Sequence, residues 1–228
     1  IKRYMELVTM AKDGKIPKEL KRSDVNITQG GKSLRENVYR KKLLDLLGIK
    51  YITFKDDLLS NNWQPNNEVF PKEQYSLIWQ DAQWQVYENK NALPRFFLTS
   101  DYILASNKTA ALSFIYNKNI DLKKTLILEE RPNILLDNKA KGNVKLILYS
   151  PNKVVFSVFA SGNTLLFLSD NYYLEWNVKI DGELSKILIA DYTLRAVAVP
   201  KGEHRIEFFY NPKSFRNGAV ISLIGIIL

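Results

Sequence analysis

Apolar and polar residues follow two different periods along the chain, and the change between them divides it into two parts. In the first part, apolar residues recur at helical spacing from Leu34 to Leu47. Ser33 and Glu36 form a capping box before this helix, and Gly48 provides its C-terminal stop. Further strands and one helix follow, so residues 1–135 are predicted to be mixed α and β. The predicted elements are a helix near 2–10, strands at 50–54, 75–79, 84–87, 96–105 and 125–129, and a helix at 108–116 capped by Asn107.

The second part, residues 140–213, contains only short apolar or alternating runs separated by turn residues. Seven strands are predicted between Val144 and Tyr210, and one turn between them is Asp181-Gly182. Short strands at close, regular spacing are typical of a β-sandwich or jelly roll. The predicted fold class is therefore an α+β N-terminal half followed by an all-β sandwich or jelly roll.

The C-terminal residues, 214–228, predict the start of a transmembrane helix. The run Ala219–Leu228 has no charge, and ten such residues are half of the roughly 20 that a spanning helix needs. Lys213 and Arg216 precede the run, as cations do at a membrane interface. A buried terminal strand is the alternative, since the run is rich in β-branched residues.

Composition excludes several classes of protein. The chain has 228 residues, 46% of them apolar, and no Cys, which excludes a disulfide-stapled mini-protein, a thiolate metal site and a disordered tail. The net charge is +9, and residues 1–55 hold most of it, with 14 Lys+Arg against 6 Asp+Glu. These cations either meet the phosphate groups of anionic lipids or wall polymers or form a solvated face. The predicted polyanion-binding residues are Lys12, Lys15, Lys18, Lys21, Arg22, Arg40, Lys41 and Lys42.

No catalytic, cofactor or metal motif is present in the sequence. It lacks a Gly-rich phosphate loop and a His-Glu-x-x-His motif, and its sole histidine, His204, is interpreted as a structural residue at the start of a strand. The basic residues come with no recognised nucleic-acid-binding module, so nucleic acid is not expected as a partner. No catalytic residue, metal ligand or cofactor is predicted.

Aromatic residues are the better candidates for binding. Trp79 and Trp84 alternate with apolar neighbours, which predicts that they belong to the core. Tyr172, Tyr173 and Trp176 lie at a turn, where their rings can stack on sugars while Asp170 bonds hydroxyl groups. These four residues are the predicted glycan-binding set.

An ordered set of short segments runs through most of the chain. Towards the C-terminus the segments are Leu168-Ser169-Asp170, Tyr172-Tyr173, Trp176, Asp181-Gly182, Arg195-Ala196-Val197, Pro200 to His204, and Tyr210 to Phe215. Upstream they are Leu47 to Ile52, Val86 to Asn89, Leu93 to Phe96, and Leu126 to Glu130. In this order they resemble the end of the YfhO family of bacterial multi-spanning membrane proteins. One departure is Leu174-Glu175, where members of the family usually carry Pro-Gly.

The resemblance implies a place and a role for this chain. It implies an extracytoplasmic domain at the bacterial cell membrane, joined to membrane helices of the same polypeptide. The activity it implies is transfer of sugars from a polyprenyl-phosphate donor onto cell-envelope polymers such as teichoic acid, carried out mainly by those helices. The domain is then expected to bind or orient a glycan- or phosphate-bearing acceptor without being catalytic. The alternative is a purely structural cap that braces the helices.

Overall fold

The computed structural model describes residues 2–16, 34–55 and 63–212, together with 214, 215, 217, 218, 221 and 222. Within these residues the chain is mostly β, with several sheets, as the sequence predicts in outline. The helices are α1 (Lys2–Met10), α2 (Val38–Leu46) and α3 (Lys108–Ile115). The strands are β1 (Tyr51–Lys55), β2 (Tyr75–Gln80), β3 (Trp84–Asn89), β4 (Phe96–Thr99), β5 (Asp101–Leu104), β6 (Thr125–Leu128), β7 (Gly142–Ser150), β8 (Lys153–Ala160), β9 (Thr164–Leu168), β10 (Trp176–Ile180), β11 (Glu183–Ser185), β12 (Ile187–Ala190), β13 (Leu194–Val199) and β14 (Gly202–Tyr210).

A six-stranded sheet, in the order β4-β9-β13-β12-β6-β5, forms the centre of the molecule. Its two edge strands are consecutive in the chain, and only Ser100 separates Thr99 from Asp101. Since neighbouring Cα atoms are about 3.8 Å apart, the sheet must curl until its edges meet at Ser100. The predicted single strand at 96–105 is therefore two strands, each of which pairs with a different neighbour.

The central sheet joins the two parts that the sequence pattern separates. Strands β4 to β6 come from the first part, and β9, β12 and β13 come from the second. The boundary near residues 135–140 is consequently not a boundary between cores. The finer division into an α+β half and an all-β sandwich stays a prediction.

A five-stranded sheet, β11-β10-β14-β8-β7, lies on one face of the central sheet. The two share an apolar cluster that contains Phe156 and Phe208 from the five-stranded sheet and Leu166, Leu168 and Val197 from the central one. The chain changes sheets at Lys186, between β11 and β12. One of the seven strands predicted between Val144 and Tyr210, the one at 185–189, is for this reason split between β11 and β12.

The helices cover the other face of the central sheet. Leu7 of α1, Leu43 of α2 and Ile115 of α3 belong to one buried cluster with residues of β6, β9, β12 and β13. Helix α2 begins later than the sequence predicts, because Asn37 is its N-cap and accepts a hydrogen bond from the backbone N–H of Arg40 at 2.9 Å. Ser33 of the expected capping box lies outside the described residues. The predicted stop at Gly48 is confirmed, since Gly48 adopts a φ of 65°.

A small third sheet, β1-β3-β2, forms around its own cluster of buried residues, including Phe70 and Tyr87. The rings of these two residues stack with centroids 3.9 Å apart. The inner face of β3 is partly polar, because Gln85 and Asn89 are buried there. Their side chains are hydrogen-bonded, for example from Asn89 Nδ2 to Asp45 Oδ1 at 2.8 Å, as buried polar groups require.

The loop between β12 and β13 buries a carboxyl group. Asp191 Oδ1 accepts from the backbone N–H of Ile127, and the Asp191 N–H donates to the Ile127 carbonyl, both at 2.8 Å. These bonds continue the pairing of β12 with β6 beyond Ala190. The second carboxyl oxygen, Oδ2, is buried and has no hydrogen-bond partner among the described residues. Burial raises the pKa of Asp191 to about 7, against the opposing effects of the hydrogen bond from Ile127 and of the charge of Lys42.

The predicted membrane segment at 214–228 lies largely outside the described residues. Its six described residues, between 214 and 222, are helical. In the part of the chain that the structure describes, no helix combines the length and apolar character that a membrane span requires.

Phe156 should be a principal contributor to stability. It is fully buried between the two larger sheets, and the centroid of its ring lies 5.0 Å from that of Phe96. We expect Phe156→Ala to lower the free energy of unfolding by roughly 3–5 kcal/mol, measured by urea denaturation. Phe159→Ala is the matched control on the same strand, because Phe159 is 46% exposed and should lose well under half as much. Equal losses would contradict the described packing.

The buried Asp191 should make stability depend on pH. Its pKa is raised in the folded state, so its stabilising effect is complete below the unfolded value of about 4 and is lost as pH rises through about 7. We expect the free energy of unfolding to fall by about 2 kcal/mol more between pH 5 and pH 8 in the natural protein than in Asp191→Asn. Urea denaturation at a series of pH values measures this. Identical pH profiles would show that Asp191 does not titrate in this range.

Candidate functional site

The strongest cluster of polar and aromatic side chains lies where strand ends of the two larger sheets meet. Leu168, the last residue of β9, is in register with Phe96 on one side and with Arg195 of β13 on the other. Arg95 precedes β4, and its carbonyl accepts from the Ser169 N–H at 2.8 Å. The pairing of three strands therefore brings Arg95, the segment 169–171 and Arg195 to one end of the central sheet.

On the outer side of this cluster, Arg95 and Asp170 form an ion pair. Arg95 Nη2 donates to Asp170 Oδ1 at 2.7 Å and also to the hydroxyl of Tyr149, which belongs to the five-stranded sheet. The guanidinium lies over the Tyr149 ring, 4.7 Å from its centroid. The Asp170 side chain is 11% exposed and that of Arg95 is 55% exposed. Asp170, predicted to bond sugar hydroxyls, is thus already engaged, and Arg95 is the accessible member of the pair.

On the inner side, Arg195 is 4% exposed and stacks on Trp176. Its guanidinium carbon lies 3.9 Å from the indole centroid, and Nε donates to the carbonyl of Asn171 at 3.0 Å. Nη1 is buried and has no hydrogen-bond partner in the described part of the chain. Burial lowers the pKa of Arg195 to about 10, while the charge of Asp170 opposes that shift. Arg195 therefore remains protonated at neutral pH.

The burial of the Arg195 charge has a large free-energy cost for a residue that only supports the fold. An uncompensated buried charge costs roughly 3–5 kcal/mol, and stacking on an indole returns about 2 kcal/mol when the pair is desolvated. The one carboxylate hydrogen-bonded within the described cluster, that of Asp170, is committed to Arg95. Charged groups in such perturbed surroundings are concentrated at functional sites.

Aromatic rings continue from Trp176 towards solvent. Tyr210, which pairs with Trp176 across β10 and β14, has its ring 5.6 Å from the indole. The exposed Tyr173 lies 6.4 Å from Tyr210. We refer to Trp176, Tyr210 and Tyr173 as the aromatic rim. Tyr172, predicted to join them, is half-buried, and its backbone N–H donates to the Thr193 carbonyl.

The turn that presents the aromatic rim has an unusual backbone conformation. Glu175 adopts a φ of 77°, which is left-handed and favours glycine. Its carbonyl accepts from the Asn211 N–H at 3.0 Å, which holds the turn against the end of β14. A left-handed turn thus precedes Trp176 even though this chain has Leu174-Glu175 there.

The predicted polyanion-binding residues do not form one described surface. Lys12 and Lys15 are exposed after α1, and Lys41 is half-buried on α2, whereas Arg40 is buried and not on the outer face of that helix. The ammonium of Lys42 donates to the carbonyls of Asn117 and Ile120. It lines a cavity of about 320 Å³. The remaining members, Lys18, Lys21 and Arg22, lie outside the described residues.

The prediction that Trp79 and Trp84 belong to the core is wrong. Their exposed fractions are 49% and 40%, and both face outward from the small sheet. The alternation of residues along β3 identifies two faces of the strand. The covered face is the one that carries the hydrogen-bonded Gln85 and Asn89. His204 occupies a hairpin, where Nδ1 lies 2.6 Å from Asp181 Oδ2. Asp181 Oδ1 in turn accepts from the Arg205 N–H at 2.7 Å.

Four residues of the cluster were not predicted as binding residues from the sequence: Arg95, Tyr149, Arg195 and Tyr210. Arg195 had a detectable signal, since it is the one charge within the apolar run from Leu194 to Val199. Charged side chains are almost never fully buried unless they are paired. The other three have no local signal, because the pairing of distant strands is what brings them together.

Comparisons with known proteins give one family. A model of the family described as "Bacterial membrane protein YfhO" matches residues 107–222. The chain is also similar to the "Uncharacterized protein YfhO" of Bacillus subtilis (strain 168), with 31% identity over 112 residues. That region is 47% of this chain and 13% of the relative, so the chain corresponds to a small part of its length. No solved structure matches.

The cost of Arg195 can be measured through stability. We expect Arg195→Met, which keeps the volume and removes the charge, to change the free energy of unfolding by no more than about 1 kcal/mol. Trp176→Ala, which removes the ring beneath the guanidinium, should lose about 3 kcal/mol. Urea denaturation of both variants provides the comparison. A loss in Arg195→Met as large as that in Trp176→Ala would identify the guanidinium as a stabilising group of the fold.

Proposed function

Since the chain belongs to the YfhO family of bacterial membrane proteins, we propose that it is a glycan-binding domain on the extracytoplasmic face of the membrane. In this proposal the domain binds or orients the acceptor for a membrane glycosyltransferase. The transferase uses a polyprenyl-phosphate sugar and acts on cell-envelope polymers such as teichoic acid. This domain itself supplies no catalytic residue.

The observation that carries the proposal is the aromatic rim next to a buried arginine. Sugar rings present apolar C–H faces, which pack on aromatic side chains, and hydroxyl groups, which need polar partners. Trp176, Tyr210 and the exposed Tyr173 provide the first kind of surface. Arg95 and the hydroxyl of the exposed Tyr149 provide the second within the same cluster. Both requirements of a glycan site are thus met at one end of the sheets.

The transferase part of the proposal rests on family membership and on the resemblance of the segments around Trp176. Its chemistry would belong to the rest of the polypeptide, which this chain does not contain. In this proposal the membrane part transfers the sugar, and this domain holds the polymer. Anionic lipid or wall polymer remains a proposed partner of residues 1–55, of which Lys12 and Lys15 are exposed among those described.

The alternative is a structural cap that braces membrane helices and binds no glycan. The two proposals differ in what they require of the aromatic rim. A cap needs rings only as packing, whereas Tyr173 is exposed and adds little to a core. The stacked and poorly compensated Arg195 also favours a binding role over a bracing one.

Removal of the aromatic rim should abolish glycan binding. We expect the triple variant Tyr173→Ala, Trp176→Ala and Tyr210→Ala to bind glycosylated teichoic acid at least about tenfold more weakly than the natural chain in isothermal titration calorimetry. The estimate follows from losing ring contacts of roughly 0.5–1.5 kcal/mol each.

Trp79→Ala is the matched control, since Trp79 is equally aromatic and exposed but lies on the small sheet. It should leave the affinity unchanged. Circular dichroism of the triple variant verifies that it is folded. Undiminished binding by a folded triple variant would rule out the aromatic rim as the site. No binding by the natural chain would favour the structural cap.

A further inference from the structure

We propose that the cluster takes an anionic saccharide, with the acidic group of the ligand held at Arg95 and Arg195 and its sugar ring against the aromatic rim. This inference rests on the proposed function, because it specifies the class of ligand for the same site. The acidic group is a phosphate or a carboxylate, and these share the oxyanion chemistry that guanidinium groups bind.

The first step of the argument is the balance of charge. The described cluster contains two guanidinium groups and one carboxylate that is hydrogen-bonded to them, and that carboxylate, Asp170, lies 2.7 Å from Arg95 Nη2. Arg195 has a backbone carbonyl and an indole face as partners instead. One positive charge is therefore left without a paired anion, in surroundings where solvent screens it weakly.

The nearby Glu175 does not alter this balance at Arg195. Burial and, after it, the charge of the Glu175 carboxylate raise the pKa of Tyr210, whose ring lies beyond Trp176. The groups whose charges act on Arg195 are Asp170, Tyr149 and Arg95, and Arg95 is a like charge that lowers the pKa of Arg195 further. An added anion at this point relieves the repulsion between the two guanidinium groups.

The second step is the unused donor. Arg195 Nη1 is buried and has no acceptor among the described contacts, and Arg195 remains protonated at neutral pH. An unpaired buried donor is rare in folded proteins and calls for an explanation such as an absent ligand. An oxyanion supplies the acceptor that Nη1 lacks, whereas a neutral sugar hydroxyl supplies it without neutralising the charge.

The third step is access. The Arg95 side chain is 55% exposed, and Tyr149, whose hydroxyl touches both Arg95 and Asp170, is also exposed. A ligand anion therefore meets Arg95 first and competes with Asp170 for its guanidinium. Arg195 acts on the bound anion from the interior. Its charge attracts the anion, and Nη1 donates to it as the ion pair between Arg95 and Asp170 opens. Trp176, stacked on Arg195, links this anion position to the aromatic rim.

The test compares four small probes on the 228-residue chain by calorimetry: glucose 1-phosphate, glucuronate, glucose and inorganic phosphate. We expect glucose 1-phosphate or glucuronate to bind at least about tenfold more tightly than glucose, with an affinity that falls as salt is raised. Inorganic phosphate should bind more weakly than glucose 1-phosphate, because it has no ring to contact the aromatic rim. Whichever acidic sugar binds more tightly identifies the acidic group as phosphate or carboxylate.

Substitutions distinguish the contribution of the two arginines to binding from general effects on the fold. Arg95→Gln and Arg195→Met should each reduce the affinity for the acidic sugars by about tenfold and should reduce the affinity for glucose by a much smaller factor. Arg131→Gln is the control, since it makes the same change of charge at an exposed position outside the cluster. Arg95→Gln keeps the test valid if Arg195→Met fails to fold, because Arg95 is exposed.

Each outcome distinguishes this inference from the proposed function. Equal affinities for glucose and the acidic sugars would overturn the anionic ligand and leave glycan binding standing. Inorganic phosphate binding as tightly as glucose 1-phosphate would overturn the saccharide and reduce the cluster to an anion site. Failure of every probe and of teichoic acid to bind would overturn both proposals.

Discussion

The fold depends on a central sheet that is buried on both faces. All residues of β9 and β13 are buried, with helices on one side and the five-stranded sheet on the other. This burial removes apolar area from water on both faces of the sheet and connects two of the three apolar clusters. It also explains why a charge on β13 matters. Arg195 occupies a strand with no solvent-facing side, so its guanidinium must find partners within the protein or from a ligand.

Family membership and the cluster support each other through the backbone. Segments that resemble the family around Asp170, Trp176, Arg195 and Tyr210 are far apart in the sequence, yet the strand pairing brings them to one end of the sheets. Glu175 connects the two kinds of observation, because it adopts a left-handed conformation at the position where the family usually has glycine. In this chain a residue other than glycine therefore forms the left-handed turn that places Trp176.

Elements with local signals were predictable from the sequence, and elements that depend on distant partners were not. Helix α3 with its Asn107 cap and the hairpin at Asp181-Gly182 follow from neighbouring residues alone. The breaks at Ser100 and Lys186 do not, because an alternating run looks the same whether its two halves pair with one neighbour or with two. The exposure of Trp79 and Trp84 has a similar cause: the period of a strand identifies two faces but not which one is covered. For the candidate site, the aromatic residues were predictable as a turn cluster, whereas Arg95 and Tyr149 reach it only through strand pairing.

The edge strands of the two larger sheets decide where this protein is vulnerable to self-association. The edge strands β4 and β5 of the central sheet have four residues each, and such short strands offer a second chain few unpaired backbone groups. The five-stranded sheet has the nine-residue β7 at its edge, and this strand carries the exposed Leu146, Ile147 and Leu148. Its exposed apolar side chains and free backbone edge are the combination that promotes edge-to-edge pairing. Aggregation of the isolated chain would therefore begin at β7, and a lysine introduced at Ile147 is the substitution of choice for keeping concentrated samples monomeric.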